Sequence, residues 1–212
     1  MTSYAQVAAA AASCGLVALG GTHDPDATGM PQDVTLILLG PDPVRFWPLL
    51  QAAPEARLPD PVDAWSMRVI TDLAHALGAR PRFPFGTPPQ PFIRWALASG
   101  TCHLSPVGPL VHESLGLNVS FRGALLFAKT IALPPAGPRP CETCAAPCLG
   151  ACPVDAMTPD GYDLAACHSW LDEAANTCMT RGCAVRRACP VSPARPDAQA
   201  AHHMAHFHEV ER

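Results

Sequence analysis

Residues 141–153 read CETCAAPCLGACP, and the closing Cys-Pro pair returns at Cys189-Pro190. The first stretch has the form C-x2-C-x3-C-x3-C-P. Cys141, Cys144, Cys148, Cys152, Cys167, Cys178, Cys183 and Cys189 all fall within 49 residues of a 212-residue chain. So dense a set in a reducing compartment points to metal ligation rather than to a disulfide framework. Thiolates are the soft ligands that zinc and iron–sulfur groups select.

The bacterial two-cluster iron–sulfur run is C-x2-C-x2-C-x3-C-P. Here one extra residue lies in Ala145-Ala146-Pro147, before Cys148. Three thiolates on a tight loop grip one cubane, and the fourth, three residues on, points away toward the other cluster. The recurring Cys-Pro ending therefore implies exchanged ligands. Cys141, Cys144, Cys148 and Cys189 are assigned to one 4Fe-4S cluster, and Cys152, Cys167, Cys178 and Cys183 to the other. Three alternatives stay open: a four-thiolate zinc site, which usually lacks the Cys-Pro ending; one cluster with four buried thiols; and a disulfide scaffold. Cys14 and Cys102, far from the motif, read as small buried apolar groups. Arg186 and Arg187, between the last two ligands, either offset cluster charge or are solvated.

Upstream, residues 2–14 predict a helix stopped by Gly15. Leu16–Gly20 and Val34–Leu39 predict buried strands of a sheet covered on both faces. Val44–Ala53 predicts a short helix. Pro61 opens a longer one over Val62–Leu77, closed by Gly78. A Pro-rich loop (PRFPFGTPPQP) precedes a short helix at Phe92–Ser99. Val107–His112 and Val119–Leu126 predict two further strands separated by a Gly-containing turn. PPAGPRP, at Pro134–Pro140, reads as a linker. The expected organisation is an α/β (α+β) domain over 1–133 and a small two-cluster domain with a C-terminal helix over 134–212.

Apolar residues make up 49% and charged residues 15% of the chain, which argues against wholesale disorder. The net charge of −4 disfavours nucleic acid and anionic membrane as partners. Residues 141–212 hold five basic and nine acidic side chains, against nine of each before them, so the tail is the acidic part. No apolar run is long enough to span a bilayer. The first basic residue is Arg45, too late for a secretory signal, so the expected location is cytoplasmic. GLVALGG does not match G-x-G-x-x-G, which removes a Rossmann nucleotide site. Hard chemistry would have to come from a bound cofactor. In HHMAHFH, His202 and His206 stand four apart on one helical face, a partial metal site with no third ligand.

SPVGPLVHESLGLNVSFRGALLFAKTIALPP followed by PCETCAAPCLGACPVDAM resembles the core of the epoxyqueuosine reductase family, whose plan reductive dehalogenases share. YDLAACHSWL looks like that family's lone cysteine between its Cys-Pro motifs. VTLILLGPDPVRFW, LPDPVDAW and LVHESLGLNVSFRGALL look like the cobalamin-processing decyanase and dealkylase. The resemblance covers most of residues 33–190. It implies a nitroreductase-like mixed-sheet domain that binds a corrinoid, followed by a bacterial-ferredoxin-like two-cluster domain. It also implies Arg122, Gly123 and His112 as corrinoid-binding residues, and Asp63 as the acid. Gly123 would let a flat ring approach. The chain departs from the reductases in length, in having no helical-repeat region for transfer RNA, and in lacking an Arg-Asp-Tyr-His run. Glu113, beside His112, disfavours glutathione and leaves the clusters as electron source.

The function expected is single-electron transfer from the clusters to a corrinoid: cobalamin reduction or reductive removal of its upper ligand. A reductase or flavoprotein would supply the electrons. The alternative is a ferredoxin-like carrier that docks a partner enzyme without a corrinoid.

Overall fold

The computed structural model describes residues 2–24 and 33–210. The fold is α+β with small antiparallel sheets. Two compact units are present: Met1–Thr101 with Ser120–Gly137, and Cys102–Val119 with Pro138–Arg212.

The first unit opens with helix α1 (Tyr4–Ser13). The Ser3 side chain accepts from the Gln6 N–H while the Gln6 side chain accepts from the Ser3 N–H, a reciprocal cap. Gly15, at φ 82°, turns the chain into strand β1 (Leu16–Thr22). β2 (Thr35–Pro41) follows, then α2 (Phe46–Ala52) and α3 (Pro61–Leu77). α3 begins with Pro at its first turn and ends at left-handed Gly78, as the sequence predicts. β3 (Arg80–Arg82), α4 (Phe92–Ala98) and β6 (Gly123–Phe127) complete the unit.

The sheet order is β1-β2-β6-β3, antiparallel throughout. Every residue of β2 and β6 is buried, so both faces of the sheet centre are covered. Ile37, Leu39, Leu125 and Phe127 pack with Val7 and Ala11 of α1 and with Trp65 and Ile70 of α3. Leu36 and Leu38, of opposite parity, are also fully buried. α4 packs against β1 and buries Phe92 and Trp95.

Two expectations about strands are corrected. Arg80–Arg82 lies in the stretch read as loop but forms an edge strand on β6. Pro81 lacks an N–H, which an edge strand tolerates. The two strands expected between 107 and 126 do not form a local pair. β5 (Leu110–His112) pairs with β4 (Cys102–Leu104) in the second unit, whereas β6 belongs to the first. The boundary expected at 133/134 falls instead at Gly137/Pro138, and residues 102–119 group with the cysteine-rich tail.

In the second unit, β7 (Met157–Thr158) and β8 (Gly161–Tyr162) form a hairpin. Four helices follow: α5 (Leu164–Leu171), α6 (Cys178–Arg181), α7 (Ala184–Ala188) and α8 (Asp197–Val210). α8 packs on α6. One core gathers Val107, Val111, Leu117, Cys148, Met157 and Val185; a smaller one gathers Leu171, Cys178 and Met204. Among the described residues no helix is long and apolar enough to cross a membrane.

Candidate metal centres

Cys141, Cys144, Cys148 and Cys189 line one cavity of the second unit, walled by Val111, Leu117, Pro147 and Pro190. The first three come from one loop. The extra residue of the motif is taken up at Ala146, which is left-handed (φ 52°, ψ 52°) and whose N–H donates to Cys144 Sγ at 3.4 Å. Pro147 then starts a short 3-10 helix, Pro147–Gly150, that carries Cys148 inward. Cys189 arrives at the C-terminal end of α7.

The thiols differ electrostatically. Burial, then the neighbouring cysteines, push Cys141 up, and burial does the same to Cys148. Burial also acts to raise Cys189, but the N–H groups of Leu117, Val191 and Ser192 and the Ser192 hydroxyl outweigh it, and the thiol is lowered. Cys189 thus sits in a ring of donors suited to a thiolate.

Cys152, Cys167, Cys178 and Cys183 line a second cavity, walled by Trp170, Leu171, Val185 and Met204. Cys167 stands on α5, held there by an Asp163 cap that accepts from the Ala166 N–H. Cys178 opens α6 and Cys183 immediately precedes α7. The Ala156 N–H donates to Cys152 Sγ at 3.2 Å. Burial pushes Cys167 up, and the Tyr162 hydroxyl that bonds to it partly offsets this. Met157 and Val185 line this cavity and also pack in the core around Cys148.

The donor set is uniform: four thiols per cavity in apolar surroundings, which suits an iron–sulfur group or zinc. Zinc would draw four sulfurs to within ~4 Å of one another, given Zn–S bonds of about 2.3 Å. Among the described residues no three His, Cys, Asp or Glu side chains are placed to hold a metal ion. Each cavity also has a buried donor without a partner, Ser105 Oγ at the first and Trp170 Nε1 at the second. A buried polar atom of this kind calls for a partner that the protein does not itself supply, and sulfur at the cavity centre would be one.

Of the residues implied for a corrinoid, Asp63, Arg122 and Gly123 lie together in the first unit. Asp63, in the first turn of α3, accepts from Arg122 Nη1 at 3.2 Å. Arg122 also donates from Nε to the Phe121 carbonyl and from its backbone N–H to Leu39. Burial depresses its pKa, opposed by Asp63. A Cβ on Gly123 would meet Ile70 Cδ1 at 2.7 Å and the Arg82 carbonyl at 2.8 Å, so the space beside Gly123 is filled by the unit's own chain. His112 lies in the second unit on β5 and is only 3% exposed. Its Nδ1 accepts from the N–H groups of Ser114 and Leu115, which fixes the proton on Nε2.

His202 and His206 gain no third ligand. His208 instead lies 3.0 Å from His168 and 2.9 Å from Asp172, both outside the expected pair. Cys102 is 1% exposed, in line with the expectation, whereas Cys14 is half-buried at the edge of the first core, its thiol donating to the Ala10 and Ala11 carbonyls. Sequence reasoning missed Ser105, Tyr162, Trp170 and Met204. Trp170 was within reach, three residues after Cys167 on one helix. Met204 and Ser105 come from distant segments and carry no local signal.

No family model, no curated protein and no solved structure matches the chain.

Proposed function

We propose that the chain is an iron–sulfur electron-transfer protein with one 4Fe-4S cluster in each four-cysteine cavity. The observation that carries this reading is the division of eight cysteines, four and four, around two cavities in the sets implied by the paired Cys-Pro endings. When bound, such clusters supply one-electron storage at a potential set by hydrogen bonds and burial. The cysteine thiolates hold each cluster. The N–H groups at Cys144, Cys152 and Cys189 offset thiolate charge. The walls of Val111, Leu117, Trp170, Leu171 and Met204 exclude water. Met157 and Val185, which line the second cavity, also pack in the core that contains Cys148.

In this reading the second unit is ferredoxin-like in its ligand exchange. The first, an α+β unit with nitroreductase-like resemblance, docks a partner. A reductase or flavoprotein supplies electrons in the reducing cytoplasm, where ten cysteines outside any disulfide are stable. A corrinoid as acceptor rests on sequence resemblance alone, because Asp63, Arg122, Gly123 and His112 are engaged within the protein. Electron uptake is the test. Dithionite should bleach the visible absorption of anaerobically purified chain, and reoxidation should restore it. Protein that takes up no electrons would be a structural metal protein instead.

A further inference from the structure

The stretch 141–212 is acidic, yet its arginines are gathered. Residues 141–212 contain five arginines and no lysine. The four of these within the described residues, Arg181, Arg186, Arg187 and Arg195, all line one cleft of about 390 Å³. His203 of α8 joins them, and Asp197 is the only acid in the lining. Among the described residues Arg181, Arg186 and Arg187 form no ion pair with a carboxylate.

Like charges are not collected without a cost, and residues 141–212 hold nine acids with which to disperse them. The arrangement is held by backbone contacts. Arg187 Nε donates to the Gly182 carbonyl at 3.1 Å, and Arg195 Nη2 donates to the Asn118 carbonyl. Gly182 (φ 85°) turns the chain between α6 and α7, so Arg181 and the Arg186-Arg187 pair arrive on the same cleft from two helices. Guanidinium forks match pairs of oxygens on phosphate. The volume is that of a small-molecule site.

We propose that this cleft binds a small molecule carrying two or more phosphate groups. A single monoanion would leave most of the arginine charge uncompensated, whereas a diphosphate spans several forks at once. The site goes beyond the electron-transfer reading although Cys183, assigned to the second cluster, also lines the cleft: arginines that serve only to offset cluster charge would need no ligand.

The test is calorimetric titration of the full chain, purified anaerobically, with pyrophosphate, ADP and citrate. Pyrophosphate or ADP should bind at a 1:1 ratio, more tightly than citrate, and binding should weaken as salt screens the charges. Arg186→Gln should weaken binding at least about tenfold, the loss of one charge-assisted pair, and Arg181→Gln with Arg186→Gln should abolish it. Circular dichroism and metal content matching the wild type would show that the variants fold. No heat with either phosphate compound would overturn the proposal. Unchanged affinity in the folded double variant, or citrate binding as tightly as pyrophosphate, would overturn it too.

Discussion

A Cβ on Gly116 would lie 2.8 Å from Cys189 Sγ and 2.6 Å from the Ser192 backbone N. Gly116 is also left-handed, at φ 54°, and pairs with His112. The turn after β5 thus presses against the last cysteine of the first cavity, and only glycine leaves room for both. Gly116→Ala should displace Cys189 and empty the first site while the second stays filled. Iron content should fall by about half, four of eight irons being lost. A variant with full iron content would refute this role for Gly116.

Ser105 Oγ and Trp170 Nε1 are buried donors without protein partners, one at each cavity. A donor aimed at cluster sulfur stabilises the more negative, reduced state. Ser105→Ala should lower the potential of one centre, and Trp170→Phe that of the other. One hydrogen bond of ~1 kcal/mol corresponds to roughly 40 mV for a one-electron couple. Redox titration followed by electron paramagnetic resonance reads both. If neither potential moves, the two donors do not reach the clusters.

Residues 102–119 supply Val107, Val111 and Leu117, each 1–2% exposed, to the core around Cys148. A fragment of residues 134–212 lacks all three, and burying each such side chain contributes about 1.5–3 kcal/mol. The fragment should not hold the first centre stably, although all eight cluster cysteines are present. Reconstitution of the fragment to the iron content of the full chain would argue that 102–119 is dispensable.

The grouping of Cys141, Cys144 and Cys148 on one cavity follows from loop spacing, a local feature. Helix α3 was legible for the same reason, from Pro61, its spaced apolar positions and Gly78. What the sequence hid is non-local. Nothing near Leu110 says that its partner is Leu104 rather than a residue after Val119, since both runs are apolar and each is followed by a turn. Arg80–Arg82 looked like loop because its short, Pro-containing pattern has no period, and pairing with Leu126, Leu125 and Ala124 makes it a strand. Nor does the sequence say that the side a Cβ on Gly123 would enter is taken by Ile70 of α3.

Gly123 gives a direct check on the first unit. Gly123→Ala should crowd fully buried Ile70 and the Arg82 carbonyl, at a cost of about 1–3 kcal/mol for overpacking. The thermal midpoint of the first unit should drop, and iron content should not change. An unchanged midpoint together with altered hydroxocobalamin binding would restore Gly123 as a ligand-facing residue.

The central claim is that two four-cysteine cavities each hold a 4Fe-4S cluster, and chemical analysis of iron and acid-labile sulfide on the reconstituted, anaerobically handled full chain tests it most directly. The account predicts about eight irons and about eight sulfides per chain. Zinc in place of iron with no sulfide, or a reproducible value near four of each, would contradict it.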